Sequence, residues 1–296
     1  MRSSIRFKYS RGFTMIEAVM VIVIIGIIGS VLAMFIRGPV QGYFDSVRRA
    51  ELTDTADVAM RRMARDVRLS LPNSLRVTTA AGVNYIEFIM TSAGGRYRNA
   101  TDGSTNGNFL SFTDPAVVTF DVLGAMPSNP TMNADDYIVI YNLGEGYEPA
   151  NAYAAEGCTQ CNRAKIKSIP PGGNVVTLFS NPFTGQAPPL APLPPLPSPS
   201  ARFQVVPGGV RAVTFACPTV TAGNLSRHAN YGFNAVQATP PAGAPSLLAD
   251  GVTCAVEYTN NATGRSGLLS IDLTLWNAAR TESVTLFQQI HVDNSP

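Results

Sequence analysis

The stretch that decides the reading is Gly12-Phe13-Thr14-Met15-Ile16-Glu17, followed without a charge by Ala18–Ile36, nineteen residues rich in Val, Ile, Met and Leu. As a helix rising 1.5 Å per residue this run covers roughly 28 Å, close to the thickness of a bilayer's hydrocarbon core. Arg37-Gly38-Pro39 closes it. Upstream, Arg2, Arg6, Lys8 and Arg11 place four positive charges and no acid in the first twelve residues. A basic segment before an apolar span stays on the cytoplasmic side, so residues 1–12 are expected inside and everything after the span outside. A buried helix of a soluble domain fits less well, because the run is apolar all round. A secretory signal peptide would need small residues at A-x-A spacing after the run, and Ala33-Met34-Phe35-Ile36-Arg37 does not supply them.

Glu17 is the anomaly. A carboxylate at the head of a membrane span is costly unless it is paired, so it reads as functional and in need of a cationic partner.

The charge arithmetic agrees with this division. The 296 residues carry 22 Lys+Arg and 20 Asp+Glu, net +2. Four of the bases belong to the first twelve residues, leaving 18 against all 20 acids, a side-chain balance of −2 for the remainder. That argues against a basic nucleic-acid binder, and no nucleic-acid partner is expected. With 14% charged residues the chain is not a disordered polyelectrolyte either.

Basic leader, glycine, phenylalanine, glutamate at the fifth position and apolar helix together resemble the signal of type IV prepilins and pseudopilins. The resemblance implies cleavage between Gly12 and Phe13 by a membrane prepilin peptidase and N-methylation of Phe13. It further implies Glu17 as the residue that sets axial register during assembly: the implied cleavage frees an α-ammonium on Phe13, four residues before the carboxylate, and a neighbour's terminus can pair with Glu17 in a medium of low dielectric. Partners implied are the peptidase, minor and major pilins, the inner-membrane assembly machinery and lipid. The implied location is the inner membrane, single-pass with the N-terminus cytoplasmic and the globular part exported, and then the extracellular pilus. Two further blocks carry a resemblance: Arg61–Val77 is similar to the helix end in the pseudopilin J group and its pilus relatives, and Leu286–Asn294 to a minor-pilin group of the mannose-sensitive haemagglutinin (MSHA) pilus. Unlike many major pilins, this sequence has no proline between Ala18 and Ile36; Gly26 and Gly29 are its soft points, and a bend is expected near Arg37–Gly42.

The predicted organisation is a leader over 1–12, a transmembrane and assembly helix over 13–36, an amphipathic continuation over 37–72, and a β-rich exported domain over 73–296. The fold class is α+β, a long helix packed on antiparallel sheet. Leu52, Ala56, Ala59, Met63 and Val67 form one apolar stripe at spacings of four, three, four and four. Asp57–Arg61 and Arg62–Asp66 are i,i+4 pairs, and Leu71 before Pro72 marks the helix end. The arginines at 61, 62, 65 and 68 read as a solvated face, or as contacts with neighbouring subunits.

Short β-rich runs follow at 86–90, 117–120, 137–141, 175–179, 203–206 and 210–217. The clearest alternation comes last, Leu269–Leu275 and Val284–Val292 around a hairpin loop at Asn277–Thr281. Seven prolines between Pro188 and Pro199 predict a polyproline II surface loop.

Four cysteines on the exported side allow three disulfide pairings. Cys158-x-x-Cys161 in a loop, and Cys217 and Cys254 each in phase with strand valines, favour the pairs 158–161 and 217–254; a redox dithiol or a four-cysteine zinc site is the alternative. Neither His228 nor His291 sits in a metalloprotease motif, and no P-loop or nucleophile elbow occurs. Asp135-Asp136 suits loop capping better than Ca²⁺. The sequence presents no catalytic constellation and implies no metal or cofactor.

Overall fold

The computed structural model describes residues 12–99, 107–184, 197–260 and 266–296. The basic leader up to Arg11 and most of the proline-rich run lie outside the described residues. The chain divides into two compact units, one ending at Glu51 and one running from Leu52 to Pro296.

A single helix, α1 (Met15–Arg68), supplies the first unit and enters the second. Helical backbone is continuous through Arg37–Gly42, the expected place of a bend, with Pro39 inside it. Proline has no N–H to give the carbonyl four residues back, so one rung is missing there. Among the described residues of the first unit the large apolar side chains are all exposed, Phe13 at 70%, Ile22 at 69% and Phe44 at 55% among them. One helix in the described chain is long and apolar enough to cross a membrane, and its apolar window has a mean hydropathy of 3.0 with none of it buried within the protein.

From Leu52 onward α1 behaves differently. Ala56, Ala59, Met60, Met63, Ala64 and Val67 are buried, which is the expected stripe widened by Met60 and Ala64. Asp57 pairs with Arg61 at 2.8 Å on the open face. The expected Arg62–Asp66 pair is replaced: Asp66 is buried and accepts from Arg227 Nε of a β-strand at 2.8 Å. A carboxylate turned toward the sheet needs a cation there, and an exposed i,i+4 neighbour cannot reach it. The helix ends at Arg68, three residues short of Leu71. Leu71 instead donates its N–H to the Ile89 carbonyl, and Ser70 bridges to Met90, so strand pairing captures the chain before Pro72.

The sheet beneath the helix has seven antiparallel strands in the order β1 (Arg76–Ala80), β2 (Val83–Ile89), β9 (Ala212–Pro218), β10 (Gly223–Ala229), β11 (Ser246–Asn260), β12 (Ser266–Trp276) and β13 (Ser283–Asp293). Its helix-facing side chains, Ile86, Phe88, Val213, Phe215, Leu269, Ile271, Leu273 and Ile290 among them, form one core with the helix stripe. β2 and β9 are neighbours although 122 residues of chain separate Ile89 from Ala212. Those residues leave and return side by side, with Met90 N–H still bonded to the Arg211 carbonyl.

Between them the chain builds a second body that the sequence reading did not anticipate. β3 (Ala93–Tyr97), β4 (Thr119–Leu123), β5 (Tyr137–Val139), β6 (Arg163–Ser168), β7 (Val175–Leu178) and β8 (Arg202–Val206) close into a barrel in the order β3-β4-β7-β6-β5-β8. Tyr97, Phe120, Ile138, Ile166, Val176, Phe183, Phe203 and Val205 fill its interior. Closure leaves the barrel no free strand edges. A third apolar cluster, Leu71, Ile89, Val139, Ala152, Tyr153, Val206, Ala212 and Phe233, joins barrel to sheet.

Two measurements test this packing. Met63→Ala should cost about 2–5 kcal/mol in denaturant unfolding, the range for emptying a packed core site. Val58→Ala, on the 67% exposed side of the same helix, should stay within about 0.5 kcal/mol. His228 on β10 is buried with Nδ1 unpartnered, and burial lowers its pKa below 6.5. The unfolded chain then binds the proton more tightly, so this contribution is complete above pH 6.5 and is lost as pH falls through the lowered value. His228→Gln should flatten the fall in melting temperature between pH 7 and pH 5.

Candidate functional site

The N-terminal segment carries the chemistry. Gly12 to Thr14 precede the first helical residue, and Thr14 occupies the N-cap position: its carbonyl accepts from the N–H groups of Glu17 and Ala18, both at 3.1 Å. Thr14-Met15-Ile16-Glu17 has the spacing of a capping box, a signal in the sequence that the charge-based reading of Glu17 overlooked. In the structure the Thr14 hydroxyl donates to Glu17 Oε2 at 3.5 Å. Thus the cap helps to position the carboxylate in the first turn, where the helix dipole favours negative charge. Among the described residues Glu17 has no cationic partner within its own chain, and Phe13 beside it is 70% exposed. A Cβ added to Gly12 would meet nothing within 4 Å. The fold itself therefore places no demand for glycine at that position.

The exported unit holds the remaining candidates. Cys158 is joined to Cys161, and Cys217 to Cys254, with Cα–Cα separations of 6.0 Å and 5.8 Å. Among the described residues no group of His, Cys, Asp and Glu is arranged to hold a metal. Cys217 and Cys254 lie on β9 and β11, which are not adjacent. β10 lies between them in strand order, and its first residues are shifted in register against β11. A cross-link closing 37 residues restricts the unfolded chain by about 4 kcal/mol in the chain-entropy account.

Cys158 and Cys161 close a loop next to Arg163, which is buried. Its guanidinium lies 3.7 Å over the Phe233 ring and donates to the carbonyls of Ala152 and Ala155, clamping this loop onto the sheet side. Burial brings its pKa down to about 10, which still leaves it cationic at neutral pH. On the same side Glu87, 1% exposed, receives Arg76 Nε at 2.7 Å and the Tyr231 hydroxyl at 2.8 Å. Desolvation outweighs both partners and raises the Glu87 pKa.

Asp136 caps loops, accepting from the N–H groups of Asn133 and Gly208, both at 2.9 Å; Asp135 pairs with Lys165 at 2.7 Å. His291 is exposed on β13. A cavity of about 730 Å³ beside the barrel is lined by Met126, Met132, Ile169, Pro170 and Pro171 among others, with no ionisable side chain among the described residues of its wall.

The C-terminal block turns out to be a tie point. Asn294, fully buried, accepts from Asn73 N–H at 3.2 Å, and its amide donates to Tyr258 Oη and Asn260 Oδ1, both at 3.1 Å. Asn73 in turn donates to the carbonyls of Asn142 and Asn294, and Asn142 donates to the Pro72 carbonyl. Helix exit, barrel loop and chain terminus thus meet through three asparagines. Asn73 takes a left-handed φ of 58°, and the Gly144 backbone comes so close that an added Cβ would lie 2.5 Å from the Asn73 carbonyl oxygen. Sequence offered no signal for this network, since isolated asparagines read as turn residues.

Comparison with known families places the prokaryotic N-terminal methylation motif, which is type IV prepilin-like, on residues 7–33. Neither a curated protein nor a solved structure matches the chain.

Removing the asparagine side chain at the tie point, Asn294→Ala, leaves the Asn73 N–H without its acceptor and Tyr258 Oη and Asn260 Oδ1 without their donor, and should cost about 1–3 kcal/mol, read as a lower denaturation midpoint of the full chain in detergent.

Proposed function

We propose that this chain is a low-abundance subunit of a type IV pilus, a minor pilin resembling MshO of the MSHA pilus, acting structurally in filament initiation or in the tip complex. The observation that carries the reading is Glu17: a carboxylate at the head of an exposed apolar run, with no cationic partner among the described residues of its own chain, inside the matched methylation motif. Prepilin peptidase cuts between Gly12 and Phe13 and methylates the new Phe13 terminus. The open backbone at Gly12 supports this, because the only evident demand for glycine there comes from outside the fold.

Residues 13–36 then anchor the subunit in the inner membrane with residues 1–12 cytoplasmic and the unit from Leu52 onward exported. During assembly the apolar helices exchange lipid contacts for contacts with one another, and Glu17 accepts the Phe13 ammonium of a neighbour. Attraction between the two groups is strong once both are desolvated, and an unpaired Glu17 is correspondingly disfavoured, so the pair sets axial register. A type II secretion subunit like pseudopilin J is the second reading, supported by the Arg61–Val77 block at the helix exit. Co-purification with MSHA subunits or with secretion subunits separates the two.

Glu17→Ala should leave processing of the N-terminus at wild-type level while lowering incorporation into filaments at least tenfold. Wild-type incorporation in that variant would remove the register role.

A further inference from the structure

The seven-stranded sheet ends on β13, and nothing among the described residues pairs with its outer edge. Exposed strand edges are templates for further pairing, and proteins ordinarily blunt them with charge, proline, a bulge or short length. Up to Val292, β13 has none of these. It is eleven residues long, pairs with β12 from Trp276↔Ser283 to Ser266↔Asp293 without a register shift, and contains no proline. Between Ser283 and Val292 there is no Asp, Glu, Lys or Arg. Its helix-facing row, Val284, Leu286, Gln288, Ile290 and Val292, is only half-buried at Val284, Leu286 and Gln288, and its outer row exposes 61% of Phe287.

The opposite margin is different. β1 has five residues, and its Arg76 and Thr78 are engaged by the segment at Asn234, Ala235 and Gln237.

These edges also say which occupant fits. Antiparallel pairing of β13 with β13 of a second copy needs a twofold axis normal to the sheet. That axis would run the Leu52–Arg68 segments of the two copies in opposite directions, so the chains leading into them would depart oppositely, although both lead to one membrane. A second copy in the same orientation would present β1, which offers five residues in the parallel sense. A twofold axis along the strands would pair β13 with itself in parallel but set the two helices on opposite faces, so the half-buried row of one copy would run on into the exposed outer row of the other. All three forms of self-pairing fail.

The geometry points to strand addition from a different subunit. An extended segment of another pilin-like chain joins the sheet at β13, with apolar residues toward the helix side, where it completes the cover of Val284 and Leu286, and uncharged residues beside Phe287. This rests on the assembly reading and names the surface by which the subunit meets its neighbour.

The test uses the full chain in its native membrane, with a photoreactive benzophenone side chain placed at Thr285, Phe287 or Gln289. Ala255, two strands inward in the same row (Ala255↔Asp272↔Phe287), is the control. The expected result is adducts from the three β13 positions to one other chain bearing its own N-terminal methylation motif, mapping to alternate residues of a single extended segment. Phe287→Lys with Gln289→Lys, probed from Thr285, should cut the adduct at least tenfold with an unchanged melting temperature. Adducts to a second copy, adducts to chains without such a motif, or no excess over Ala255 while the mature chain is present in filaments would overturn strand addition and leave the assembly reading standing. A chain absent from filaments altogether would remove both.

Discussion

Nineteen consecutive uncharged, mostly apolar side chains that their own protein leaves uncovered are the constraint on which everything else turns. Burying a single large aliphatic side chain is worth about 1.5–3 kcal/mol, so leaving the row from Ala18 to Ile36 in water would cost on the order of tens of kcal/mol. That exceeds the net stability of an ordinary domain. The run must therefore always be covered, by lipid or by like helices, and the two covers are close enough in character that exchanging one for the other is feasible. Glu17 stands out against this background because it is the sole ionisable residue between Phe13 and Ile36. Its desolvation is tolerable where a cation meets it, which ties the energetics of the helix to a neighbour's terminus.

Past Glu51 the same helix serves another purpose. Ala56, Met60, Met63 and Val67 turn inward onto the sheet, and Asp66 reaches across to Arg227. The sheet tolerates a complete barrel between two of its adjacent strands because Ile89 and Ala212 leave and return in register, with the 90–211 pair bonded at the doorway. Arg163 stacked on Phe233 and the Asn73–Asn142–Asn294 network then fix barrel, helix exit and C-terminus to one another. The disulfide between β9 and β11 lies beside the shifted start of β10, where the ladder is least regular.

What was legible in the sequence was whatever carries a period or a marked local composition. The apolar run, the 52–67 stripe and the alternating β12–β13 hairpin all appeared where periodicity placed them. Pairing of Cys217 with Cys254 followed from phase, since both point to the helix side with their strand valines. Four of the barrel's strands fall on β-rich runs read from the sequence, at 117–120, 137–141, 175–179 and 203–206, whereas two carry little alternation and were missed: Ala93–Tyr97 contains two glycines, and Arg163–Ser168 holds two lysines and an arginine. The barrel's closure depends on pairings far apart in the chain, such as Ala93↔Val205, which no local pattern encodes. Asp66, Arg163 and Asn294 escaped for a related reason. Each is a polar residue whose burial depends on a partner brought by another part of the chain. At the N-terminus the capping-box spacing of Thr14 and Glu17 lies in the sequence, but the charge-based reading of Glu17 passed over it.

The account stands on how the N-terminus is handled, and intact-mass and terminal-peptide analysis of the chain recovered from membranes and filaments tests that most directly. The predicted result is a mature chain beginning at Phe13 with a methylated α-amine. A chain retaining Arg2 to Gly12, or one cut beyond Ile36 and free of the membrane, would contradict it.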